Sequence, residues 1–419
     1  MTKLENQPTM RKTIITMLLI ASLGGVMRGE SDRQMCDRVM RTATRQALAM
    51  HKALDAGRMP RTLDDNGNLV TSGIEWWCSG FFPGTLWNIY RYTGDKEVLK
   101  AAEAETAKLE HLLNGETDHD VGFQVNCSYG EGYSLTRNPE YRKMLREAAD
   151  TLAARFNPTV GCIKSWNISD GHDFYVIIDN MMNLELLMNV SALEDDGRLA
   201  DIAQRHAETT SRNHIRPDYS SYHWVIYNDS TGAVEKRKTG QGYSDESTWS
   251  RGEGWALYGF TMMAKKTGDR RFLNLAENIA RWTLERLPEN KVPYWDYLAA
   301  EKLMADEPGL DRKYAGEVDG RILRDASAGA VVASALLDLS QMTDDRKLAK
   351  ESKAAARKML HTMSSPEYIA AEGTNGNFIL KHSVGAYHGN SEVDKPLTYA
   401  DYYFLEAINK LMSKYDRRK

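Results

Sequence analysis

Two aspartates stand where acid–base chemistry is most easily arranged. Asp179 lies in VIIDNMMNLELL, with Ile177, Ile178, Met181 and Met182 around it. A carboxyl in apolar surroundings is desolvated, which raises its pKa and suits it to donate a proton near neutral pH. Asn183, four residues on, falls on the same helical face and could orient it. An aspartate at that place could equally cap the helix it precedes. Asp120, in DHDVGF, is the second candidate, and alone it is as suited to capping as to catalysis.

Recognition groups accompany these acids. Trp77, Trp249 and Trp255 offer flat faces of the kind that stack on sugar rings. Arg251 lies between two of them and could hold a carboxylate through both its forks, or form a salt bridge with Glu253 or Asp245. His223, in SSYHWVIY, belongs to a strand-like segment that faces either a site or the core. The stretch TWSRGEGWALYGF (248–260) gathers several of these residues at the opening of a helix, where glycines allow close backbone approach to a ligand. Glu253 is the residue in it with no evident task.

Composition sets outer limits. The chain has 419 residues, 42% hydrophobic and 27% charged, with a formal net charge of −4, so no basic excess points to nucleic acid. Cys36, Cys78, Cys127 and Cys162 lack metal-ligand spacing, and neither a metal nor another cofactor is expected. Arg11 and Lys12 precede an apolar run from Thr13 to Met27, the pattern of a secretory signal. Residues 1–30 are therefore read as an export segment, with a periplasmic destination and no membrane span once it is removed. Residues 31–419 are read as a single domain, a monomer or small homo-oligomer.

The elements that must position the candidates follow from punctuation. Five polar turns, at Tyr92–Asp95, Thr136–Tyr141, Leu193–Arg198, Thr267–Arg270 and Thr343–Arg346, separate helical patterns. Short turns leave neighbouring helices antiparallel and side by side. Gly254–Lys265 and Ala326–Leu339 are apolar nearly all round and must be buried all round. By contrast Phe272, Leu275, Ile279 and Thr283 form one stripe, with Asn274, Glu277, Asn278 and Arg281 opposite. Leu199, Ile202, Ala203 and His206 repeat that pattern.

Alternation of fully and half-buried helices predicts an all-α fold, an (α/α)6 barrel of two concentric layers. Arg33–Leu54 and Tyr399–Lys414 would supply the sixth pair, and one or two short β-hairpins are expected in loops, one after Trp224. Inner helices then run in one direction, so their N-termini share a rim. Trp76–Gly84, Asp118–Phe123, Asp173–Asn183, Trp249–Trp255 and Arg324–Ser327 all fall there.

The motifs EWWCSGFFPGTLW, DHDVGF, VIIDNMMNLELL, GYSDESTWSRGEGWALYGF and VDKPLTYADYYFLEA together resemble glycoside hydrolase family 88, the unsaturated glucuronyl hydrolases. The likeness runs from about residue 70 to the C-terminus. It implies an (α/α)6 barrel that removes the 4,5-unsaturated uronic acid left by polysaccharide lyases at the non-reducing end of oligosaccharides, here of glycosaminoglycan type. It implies Asp179 as general acid/base and Asp120 as the second essential aspartate. Trp77, His223, Gln241, Trp249, Arg251 and Trp255 match the sugar-contacting positions. Glu253 stands where many relatives carry Gln, and Gly240 precedes Gln241 where some carry His. The Lys381–His388 loop matches a region that selects sulfated sugars in some members.

Three other readings share parts of this pattern. An unsaturated rhamnogalacturonyl hydrolase would use the same barrel and chemistry on pectin fragments. A sugar epimerase would need paired histidines, for which the rim offers His119 and His223. A non-catalytic carbohydrate-binding helical scaffold would need no desolvated acid.

Overall fold

Helical punctuation in the chain is built from one recurrent device. At four turns a threonine hydroxyl near the end of one helix accepts the backbone N–H two residues on: Thr93 with Asp95, Thr136 with Asn138, Thr267 with Asp269 and Thr343 with Asp345, at 3.1–3.2 Å. Each of those second residues then caps the next helix with its own side chain. Gly94, Arg137 and Gly268 take the left-handed conformation in between, which ends the first helix sharply. One turn thus stops an inner helix and starts an outer one.

The computed structural model of the protein describes residues 30–168 and 174–416, without side chains for 414–416. The export segment expected over residues 1–30 lies outside the described residues except for Glu30. From Asp32 onward the chain forms one compact unit. Its helices are α1 (Asp32–Ala53), α2 (Phe81–Thr93), α3 (Lys96–Ala107), α4 (Val121–Val125), α5 (Glu131–Thr136), α6 (Pro139–Ala153), α7 (Asn180–Glu194) and α8 (Gly197–Asn213). They continue with α9 (Ser250–Thr267), α10 (Arg270–Arg286), α11 (Tyr297–Met304), α12 (Ala326–Met342), α13 (Arg346–Met363) and α14 (Thr398–Asp416). A π turn, Asn126–Gly130, joins α4 to α5 so that the two act as one bent rod.

Packing closes two rings. The inner one runs from α2 to the α4–α5 rod, α7, α9, α12 and α14, and α14 returns to α2. Outside it lie α3, α6, α8, α10, α13 and α1, with α1 packed against both α2 and α14 as the sixth pair requires. In the inner α9 every residue from Ser250 to Ala264 is buried. The outer α10 buries one stripe, including Phe272, Ile279 and Thr283. Glu277, expected on its wet face, is buried too, because its carboxylate accepts the Thr343 hydroxyl at 2.7 Å from the neighbouring turn.

Two glycines bring inner helices together. A Cβ on Gly259 of α9 would lie 2.5 Å from Met181 Cβ of α7. A Cβ on Gly122 of α4 would lie 2.5 Å from the Asn183 side chain, also on α7. Any larger residue would push these helices apart at the centre of the barrel.

Strand content exceeds the expected one or two hairpins. Five small antiparallel sheets are present, one of them three-stranded, pairing Phe174–Ile177 with Trp224–Tyr227 and the latter with Val234–Lys238. All five lie in connections that lead from an outer helix to the next inner one. Their strands are two to five residues long, too short to leave an alternating pattern in the sequence. The barrel therefore has one end of tight turns and one end of long, hairpin-bearing loops.

Candidate active site

The long-loop rim is organised by the starts of inner helices. Asp120, Asp179, Trp249 and Asp325 occupy the N-cap positions of α4, α7, α9 and α12. Asp325 caps its helix, accepting the Ser327 N–H at 2.9 Å. Asp120 and Asp179 make no side-chain cap. Forgoing a cap costs about 1 kcal/mol, so both carboxyls are left available at the expense of their helices. That settles against the capping alternative for each.

Asp179 keeps 13% of its side chain exposed at the rim, while its Oδ2 is buried and has no hydrogen-bond partner. Burial pushes its pKa up to about 7, while the Arg251 charge holds it back from rising further. Asp120 is also raised well above the usual carboxylate range, by burial first and then by the charges of Asp118 and Asp179. The two carboxyls thus feel each other. Arg155 and an Asn183 hydrogen bond act in the opposite direction on Asp120.

Asn183 does not serve Asp179 as expected from its spacing. Its Oδ1 accepts the Phe123 N–H at 2.7 Å and its amide nitrogen lies 3.1 Å from His119 Nδ1. It ties α7 to the start of α4, and Gly122 is what allows that approach.

Each histidine faces an aspartate. His119 Nε2 is 3.5 Å from Asp120 Oδ1, and His223 Nε2 is 3.7 Å from Asp179 Oδ2. His223 therefore belongs to the site although it is buried. Two N–H groups, from Gly240 to Nδ1 at 3.1 Å and from Trp224 to Nε2 at 3.2 Å, converge on its ring. An imidazolium, with protons on both nitrogens, would oppose both. Burial and the Arg251 charge likewise press its pKa well below the ordinary value, so the ring is neutral. Burial brings His119 down to about 4.

Arg251 is placed differently from either expectation. Its ion-pair partner is Asp325, with Nη1 2.9 Å from Oδ2, and both side chains are almost wholly enclosed. The guanidinium also donates to the Val384 and Gly385 carbonyls and to the Ser327 hydroxyl. Glu253 and Asp245 are not its partners. With both forks engaged it locks α9, α12 and the Ser383–Ala386 strand together, and it acts on Asp179 through its field. Gln241 reaches the same Gly385 carbonyl at 2.9 Å.

Tryptophan faces expected to be open are mostly covered. Trp255 is fully buried, its ring against Phe123 and Tyr403 at 5.5 and 5.3 Å, and its N–H is unpartnered. Trp249 lies between the His223 ring at 4.6 Å and the Arg251 guanidinium at 4.5 Å. Trp77 alone of the three is part exposed, with Tyr399 at 4.8 Å. The glycines of the α9 entry serve packing rather than ligand approach: Gly252 sits against the Trp249 ring and Gly254 against Val331 and Val332.

Asp325 and Tyr399 went unassigned from sequence. Asp325 was visible in RDAS as a helix start, but no local pattern names an ion partner 74 residues away. Tyr399 sits in LTYADYY and lies 5.1 Å from the Arg251 guanidinium. Among the described residues no group of three or more His, Cys, Asp or Glu could hold a metal ion, and the four buried cysteines form no disulfide. No described helix is long and apolar enough to cross a membrane.

An (α/α)6 barrel with two raised carboxyls at one rim suits acid-catalysed glycoside hydrolysis, and comparison with known proteins establishes the class. The model of Glycosyl Hydrolase Family 88 matches residues 33–266. An unsaturated glucuronyl hydrolase of Formosa agariphila is 40% identical over 340 residues, 80% of this chain and 79% of its own. A crystal structure of an unsaturated glucuronyl hydrolase specific for heparin superposes with a TM-score of 0.84 at 40% identity, covering 92% of this chain and 99% of that one. The unsaturated glucuronyl hydrolase of Bacillus sp. GL1, responsible for the degradation of glycosaminoglycan, gives 0.80 at 28% identity, covering 90% and 96%. The chain belongs to glycoside hydrolase family 88. It is a hydrolase, which removes the scaffold alternative.

Proposed function

We propose that the protein removes the 4,5-unsaturated uronic acid from the non-reducing end of lyase-generated glycosaminoglycan oligosaccharides, with Asp179 as the acid. The observation that carries this reading is the largely enclosed, uncapped Asp179 carboxyl, whose Oδ2 has no hydrogen-bond partner and whose pKa is pushed up to about 7. Such a group is partly protonated at neutral pH and can both give and take a proton.

The substrate's C4=C5 bond is conjugated with the ring oxygen. Asp179 delivers its proton to C4, and positive charge develops at C5 and the ring oxygen. Water adds at C5 and returns a proton to the Asp179 carboxylate. The resulting hemiketal opens, and the glycosidic bond is lost as the sugar rearranges to its open-chain form. Net consumption is one water. Asp120, whose own pKa is raised in part by the Asp179 charge, would hold substrate hydroxyls.

His223, neutral and 3.7 Å from Asp179, orients the acid without competing for its proton. Trp77 is the tryptophan with a face accessible to a sugar ring. Gln241, Trp249, Arg251 and Trp255 complete and stiffen the wall behind it. The apolar run after Arg11 and Lys12 supports export to the periplasm, where lyase products would be met.

Each relative named above is a glucuronyl hydrolase, which supports this reading over the pectin-fragment alternative. The test is a panel of unsaturated disaccharides from chondroitin, heparin and rhamnogalacturonan, followed by loss of the double-bond absorbance. Turnover of the glycosaminoglycan products is expected. Turnover confined to the rhamnogalacturonan product would overturn it.

A further inference from the structure

Glu253 stands three residues into α9, fully buried, with Oε2 accepting the Ser221 N–H at 2.9 Å. Its Oε1 has no partner. Burial pushes its pKa up to about 8, against the Ser221 hydrogen bond and the Arg216 charge. At neutral pH it is therefore mainly an uncharged acceptor.

What it holds lies next to the reacting acid. The Ser221 carbonyl is clamped by Arg216 Nη1 at 2.8 Å, and the residue bridges to Ile215. Two residues on, the His223 carbonyl accepts the Ile178 N–H at 3.0 Å, immediately before Asp179. The His223 ring reaches the Asp179 carboxyl itself. Ser221 is 3% exposed, so without Glu253 its N–H would be buried with no acceptor.

We propose that Glu253 is a positioning residue: by accepting the Ser221 N–H it fixes the segment that sets both the His223 ring and the Ile178 backbone against Asp179. This rests on the reading of Asp179 as the acid. The charged and titratable groups facing Asp179 are Arg251, His223 and Asp120; those facing Glu253 are Arg216, Asp218 and Tyr297. None of these reproduces the link through Ser221.

The test compares Glu253→Met, which keeps volume but removes the acceptor, with Glu253→Gln, which keeps it. Three quantities are read on the full chain: kcat and KM, the pH dependence of kcat, and the His223 ring resonance assigned through His223→Gln. The Met variant is expected to lose about tenfold in kcat with KM within about twofold. Its alkaline limb should move to lower pH by about half a unit or more, as water reaches Asp179 and burial no longer raises it. Its His223 resonance should shift as well. The Gln variant should restore all three.

A Met variant with the wild-type limb and resonance, or a Gln variant that fails in the same way as Met, overturns the proposal. Should the Met variant not fold, the Gln profile decides: a wild-type limb supports the role and a displaced one overturns it. Asp179→Asn, run in parallel, separates the two readings. Full activity there removes the acid assignment, while the His223 resonance in the Met variant still reports on Glu253.

Discussion

The two ends of this barrel treat their buried polar groups in opposite ways. At the tight-turn end a cavity of about 510 Å³ is lined by every inner helix and holds Glu131, Glu185, Asp338, Glu406, Lys410 and Arg91. There Glu406 meets Lys410 at 2.6 Å and the Tyr258 hydroxyl at 3.2 Å, and Lys410 meets Asp338 at 2.8 Å. Among the described residues, no buried side-chain N or O atom lining that cavity lacks a partner. At the long-loop end Asp179, His119, Trp249, Trp255 and Glu253 each keep an unpartnered buried atom. Leaving such an atom unpaired costs about 1–3 kcal/mol, so the rim holds its strain where chemistry needs free groups. Unpartnered atoms are not confined to the rim, since Thr283 and Ser352 on outer helices also keep one, but the tight-turn cavity is fully paired and the rim is not.

The sharpest way to break this contrast is Asp179→Asn. Loss of a general acid costs on the order of 10²–10⁴ in rate, so the variant should be folded by circular dichroism and nearly inactive on an unsaturated disaccharide. Wild-type kcat should also fall as pH rises past about 7. The raised pKa keeps Asp179 protonated below that value, and the acid is lost above it. A rate that stays level from pH 6 to 9 would place the acid elsewhere.

Next in size is Arg251→Met, which strands Asp325 as a buried charge. Breaking such a pair by removing one partner costs about 3–5 kcal/mol, to be read from urea unfolding midpoints. A small loss would mean that the guanidinium is not committed to Asp325 and is free to meet a substrate.

The smallest effect on rate is expected at the other end. Glu406→Gln should lower stability by about 1–3 kcal/mol and leave kcat within about twofold of wild type. A large fall in kcat would show that the tight-turn cavity shares in the reaction, and the contrast would fail.

Much of the scaffold was legible because its signals are local. The apolar all-round run Gly254–Lys265 and the stripe at Phe272, Ile279 and Thr283 identify an inner and an outer helix without reference to any other residue. Thr267-Gly-Asp269 writes its own helix stop and start. The hairpin after Trp224 was legible, and the other small sheets escaped because strands of two to five residues leave no period to read. At the site Asp179 was legible from its apolar neighbours, since they are the groups that desolvate it. The partners of Asn183 and Arg251 were not, because spacing along one helix says which face a residue shares and not what that face meets.

By itself, then, the sequence determined the two layers, the shared rim and Asp179 as the candidate acid, all of which follow from hydrophobic period, capping and local desolvation. Only the tertiary structure decided what the rim residues do to one another. Arg251 pairs with Asp325, Trp249 and Trp255 lie covered, and Glu253 reaches Ser221, because closing the ring brings separate helix starts and connections together. The Glu253–Ser221 and Arg251–Asp325 contacts join residues 32 and 74 positions apart, beyond the reach of any local pattern.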